Sequence, residues 1–123
     1  MWGKQMIEEL IQRVFTTRNA AHLEHWRTKS FSAHMALGAF YDEIIDNIDS
    51  IVEAHQGVFD LVDIKSLPAQ PRVKDIVEHL QEDLVFIGEN RKKITNNLPA
   101  IDNLLQTLEG TYMHALYKLT KLS

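Results

Sequence analysis

The stretch "HLEHWRTKSFSAH", residues 22–34, sets His22, His25 and His34 around a short polar turn. Neutral imidazole is the commonest metal ligand, and histidine is the side chain that ordinarily changes charge near neutral pH. The chemistry on offer is therefore metal binding or proton transfer. At about 100° per residue, His22 and His25 continue an apolar stripe from Ile11 and Val14, and His34 falls on the apolar side of the next periodic run. One histidine in such a place usually packs at the edge of a core. Three converging on one hairpin end weaken that reading.

The acids are the second candidate group. From Ser30 to Ile64 there is no lysine or arginine, while Asp42, Glu43, Asp46, Asp49, Glu53, Asp60 and Asp63 all occur. Asp42, Asp46, Asp49 and Glu53 share one flank of a helix, beside its apolar stripe. Most charge runs are solvated faces, but those usually interleave opposite signs at i,i+4, and like charges at that spacing lose what opposite ones gain. A cation or a basic partner would neutralise this one.

His34 and Asp49 cannot share a metal within one chain. They are fifteen residues apart on one helix, roughly 22 Å at 1.5 Å per residue, whereas N and O ligand bonds are about 2 Å. Two chains can close the gap. If the helix packs antiparallel on its twofold copy, the acidic end of one meets the histidine end of the other, and symmetry makes two sites. A site inside a single bundle would call on a Glu-x-x-His motif. The residues three before the histidines are Asn19, His22, Phe31, Val52, Ile76 and Thr111, none of them acidic.

Four elements must position these groups. Apolar residues recur at helical spacing in four runs, which predicts helices over about 4–27, 31–56, 72–96 and 99–121. Gly57 is a stop signal for the second, and "NNLP" breaks the chain before the fourth. The links between the first two and the last two are short, while "VFDLVDIKSLPAQP" between the second and third is long. Strand signals and glycine-rich phosphate loops are absent. The expected fold is all-α, one domain over 1–123: an antiparallel four-helix bundle with a crossover between helices 2 and 3.

The totals narrow the function. The chain has 123 residues, 45% hydrophobic and 24% charged, enough for a core without staples. Zero cysteines exclude disulfides and thiolate sites and fit a cytoplasmic, reducing setting. A net charge of −4 without a basic arm disfavours DNA binding. Charges interrupt the start, "MWGKQMIEELIQ", so neither a signal peptide nor a membrane span is expected.

His25–Trp26, then His34, then "FYDEIIDNIDSIVE" with Asp49-x-x-x-Glu53, resembles the Dps family of mini-ferritins. The match is strong over about residues 22–57 and lies in helix pattern elsewhere. It also resembles short relatives encoded by bacteriophages, for which the setting would be the host cytoplasm. The resemblance implies a ferritin-like fold and a homo-oligomer. It implies that His25 and His34 of one subunit, with Asp49 and Glu53 of a twofold-related one, bind iron and oxidise Fe(II) with peroxide or oxygen, for storage or detoxification. His22 would be an extra ligand or a neighbour of one, Asp42 and Asp46 would flank the site or its entry, and Trp26 would pack at the interface. His55, His79 and His114 receive no role. The chain departs from the family pattern where a further acid, one turn after the second histidine, is replaced by Gly38, and where no lysine-rich extension is present. Two rivals remain: the same donors holding zinc or manganese without redox chemistry, and a non-catalytic module that assembles with itself or a partner.

Overall fold

In the computed structural model residues 2–64 and 66–122 are described, with side chains from Met6 onward. Four helices account for most of them: α1 Trp2–Arg27, α2 Phe31–Val58, α3 Ile76–Thr95 and α4 Pro99–Lys121. No strand occurs among the described residues. The principal packing is a ring, with α1 against α2 and α3, and α4 against α2 and α3. This is the all-α, four-helix arrangement that the four periodic runs predict.

The helix ends follow from local chemistry. Ser30 caps α2, its hydroxyl accepting from the Ala33 N–H at 3.2 Å. Asp75 does the same for α3, accepting from the Glu78 N–H at 3.1 Å. Side-chain oxygens at these positions satisfy amides that have no partner inside the helix. The cap also explains why α3 starts at Ile76 rather than at the expected 72: Asp75 is extended, at φ −132° and ψ 103°, and its side chain takes the Glu78 N–H that the first turn leaves unpaired. The short link after α3 turns on Asn96 and Asn97, both left-handed at φ 53° and 61°, and Pro99 opens α4, where a missing N–H costs nothing.

One core runs through all four helices. Ile7, Leu10 and Val14 of α1 meet Leu37, Phe40, Ile44, Ile48 and Ile51 of α2, with Leu80, Ile87 and Ile94 from α3 and Leu105, Leu108 and Tyr112 from α4. Phe40 meets Tyr112 edge-on, with ring centroids 5.1 Å apart. Arg91 of α3 bonds both Asp102 and Glu109, tying α3 to α4. Among the described residues no helix is long and apolar enough to cross a membrane.

Candidate metal centre

The helix ends that meet at the α1–α2 turn bring the histidines together. His25 lies in the last turn of α1, where carbonyls lack intrahelical partners. His34 lies in the first turn of α2, its own N–H bonded to the Ser30 carbonyl at 2.9 Å. Each ring then reaches across to the other's backbone. His25 Nδ1 donates to the His34 carbonyl at 2.6 Å, and His34 Nδ1 donates to the His25 carbonyl at 2.8 Å. The two rings stack, 3.7 Å between centroids and 16° between planes.

This reciprocity determines the tautomer. A carbonyl oxygen can only accept, so the hydrogen of each neutral ring must sit on Nδ1, and the lone pair is left on Nε2. Neither Nε2 makes a hydrogen bond among the described residues. Metal-bound histidines are held in this way, the second nitrogen oriented by a carbonyl or carboxylate. Two half-buried imidazoles thus each present an Nε2 without a hydrogen bond, and neutral imidazole nitrogen is a ligand type that suits borderline divalent cations.

His22 takes a different place. It stacks on Tyr41 at 4.0 Å and 13°, with Trp26 at 4.4 Å, while the Arg18 guanidinium lies 5.2 Å over the other partner ring, Tyr41. Burial, then the nearby Arg18 and His25, push its imidazole below the ordinary 6.5. The ring belongs to an aromatic stack, one turn from His25. Around the histidines the turn exposes Trp26 at 67%, Phe31 at 76% and Met35 at 57%.

Asp49 and Glu53 are not beside the histidines. Both are exposed on α2, at the rim of a groove of about 410 Å³ whose walls include Phe15, Val52, Val62 and Leu67. The chain after α2 folds back there, the Val62 N–H bonding the Gln56 side-chain oxygen at 2.9 Å. Asp42 and Asp46 are exposed as well. Among the described residues, no group of three or more histidines, aspartates and glutamates gathers to hold a metal. One chain thus contains the two halves of the expected donor set, apart.

A second polar cluster escapes sequence reasoning. Asp83 of α3, only 2% exposed, accepts hydrogen bonds from Thr17 of α1 and, at 2.7 Å, from the Tyr112 hydroxyl of α4. Arg13 approaches it at 3.4 Å. Thr17 gives its one proton to Asp83, so its contact with His79 Nε2 at 2.8 Å has the imidazole donating. Burial and the Asp83 carboxylate hold the Tyr112 hydroxyl well above its ordinary value. His79, to which the sequence assigns no role, is half-buried in this cluster. The sequence does hold a signal, since Asp83 falls on the stripe of Leu80, Leu84 and Ile87. His55 is buried against Phe59, and His114 is exposed.

A family model described as a family of unknown function, DUF5856, matches residues 25–119. No curated protein and no solved structure matches the chain.

Proposed function

The chain belongs to the DUF5856 family, whose function is unknown, so its own site has to carry the reading, and we propose that it binds Fe(II) between twofold-related copies and supports its oxidation. His25 and His34 of one copy supply two nitrogens, and Asp49 and Glu53 of the other supply carboxylate oxygens. The observation that carries this reading is the pair of reciprocal bonds from Nδ1 to carbonyl, which leaves both Nε2 lone pairs for a ligand. The likeness of residues 22–57 to the Dps family points the same way.

The arrangement proposed is the antiparallel, ferritin-like one, with residues 59–75 as the crossover. Its support is the reversed order of partners between α1 and α3, where Arg13 meets Asp83 and Thr17 meets His79. Support for a second copy comes from Trp26, Phe31 and Met35, exposed beside the histidines where an interface would cover them. Fe(II) is the substrate. Two Fe(II) each release one electron to a peroxide, whose O–O bond breaks and which takes up two protons to leave as two waters. The imidazoles bind the ferrous ion in their neutral form, and the carboxylates favour the ferric product by charge.

A second reading has a specific observation behind it. Gly38 replaces an acid that the resemblance would place one turn after His34, and the exposed apolar residues at the turn suit a module whose role is self-association. Zinc or manganese held by the same donors without redox chemistry is a variant of it.

Native mass spectrometry with and without anaerobic Fe(II) separates these readings. Iron uptake by a multimer in proportion to its twofold interfaces, lost in His34→Ala and in Asp49→Ala, is the expected result. A monomer, or a multimer that ignores iron, overturns the metal reading. Assembly lost in Asp49→Ala with no metal effect supports the association module.

A further inference from the structure

The His25 ring rests on α2 at three successive positions of one face. It stacks on His34 at 3.7 Å and meets Tyr41 edge-on at 5.4 Å. Between them, at Gly38, it lies against the helix backbone itself. A Cβ placed on Gly38 would stand 3.0 Å from His25 Cε1 and 3.3 Å from Nδ1. That is closer than ordinary van der Waals contact, and the ring has little freedom to yield. Its Nδ1 is bonded to the His34 carbonyl at 2.6 Å and its face is occupied by the His34 ring.

Nothing about the backbone asks for glycine here. No glycine has a positive φ among the described residues, and Gly38 lies within α2, where alanine is the better helix former. Gly88 and Gly110, within α3 and α4, have open space where a Cβ would go. Gly38 differs from them in having an imidazole in that space.

We infer that Gly38 is a positioning residue: its missing side chain is the seat of the His25 ring, and it keeps His25 and His34 in their mutually bonded pair with both Nε2 atoms open. Its bearing on metal binding rests on the reading proposed above. On this inference the acid absent from position 38 is no gap in a ligand set, because a side chain there would displace a ligand already in place.

A double-mutant cycle tests it, with Gly88→Ala as control. Gly88→Ala should raise the thermal midpoint, as alanine in an open helical position does. Gly38→Ala should fail to raise it while His25 is present and should raise it in the His25→Ala background, where the seat is empty. A sign that depends on His25 is a readout that a merely structural helix effect would not give. Imidazole ¹⁵N spectra of the metal-free protein should show both rings protonated on Nδ1 in the wild type and a changed His25 signal in Gly38→Ala. Anaerobic Fe(II) affinity should fall about 10–100-fold, the usual cost of disturbing a ligand's support. Gly38→Ala stabilising equally with and without His25, with an unchanged His25 signal, overturns the inference. A wild-type protein that does not bind Fe(II) sinks the metal reading instead, and the cycle and spectra still decide the role of Gly38.

Discussion

Asp83 and His22 show how far single residues govern this bundle. Asp83 takes the hydroxyls of Tyr112 and Thr17 in a site that is 2% exposed. Tyr112→Phe removes one donor while Thr17 and Arg13 remain, so it should cost about 1–2 kcal/mol. Asp83→Ala strands two buried hydroxyls at once and should cost roughly 2–5 kcal/mol. Urea unfolding of the two variants checks the order, and equal losses would contradict the network. His22 supplies a pH dependence with a definite sign. Its folded pKa lies below the unfolded 6.5, so around and below that pH the unfolded chain binds more protons, and stability must rise with pH. The contribution is present above the unfolded pKa and is lost as pH falls through the folded one. Thermal midpoints measured from neutral to mildly acid pH should fall, and His22→Gln should flatten part of that fall.

At the scale of the element, the two capped helices make a matched pair. Ser30 caps the α2 turn that holds His34, and Asp75 caps α3, which contains neither His25 nor His34. Either cap replaced by alanine should cost about 1 kcal/mol. Only Ser30→Ala should also weaken Fe(II) binding, because fraying the first turn of α2 loosens the His34 ring and the carbonyl that fixes His25. Stability from denaturant melts and affinity from anaerobic titration separate the two effects. Equal affinity in both variants would mean that the pair is held without its cap. Helix identity was legible in the sequence here because apolar periodicity and cap chemistry are local properties. The start of α3 was not, since Val73 continues the apolar period while the Asp75 cap sets the helix start at Ile76.

For the whole molecule the question is which copy supplies which ligand. Under the twofold reading a mixed pair of His34→Ala and Asp49→Ala chains has one site damaged on both sides and one intact. Each mixed dimer should therefore hold about half of the wild-type iron, and random exchange, which makes about half of the dimers mixed, should restore about a quarter across the sample, by the symmetry of an isologous contact. No restoration after confirmed exchange of chains would overturn the shared site. Iron counted by native mass spectrometry gives the answer directly.

The sequence by itself determined the four helical runs and the nearness of His25 to His34, because a three-residue link between two helices forces their ends together. It also placed Asp49 and Glu53 far from His34 along the same helix, because helix rise is fixed per residue. Tertiary structure alone decided the rest. The Nδ1 bonds that set both tautomers depend on two backbones meeting at one distance. The seat at Gly38 exists only once α1 lies against α2. Asp83 stands out along its helix as an acid on an apolar stripe, but its partners Thr17 and Tyr112 come from two other helices. Periodicity is written along one helix, whereas hydrogen-bond partners belong to the space between helices.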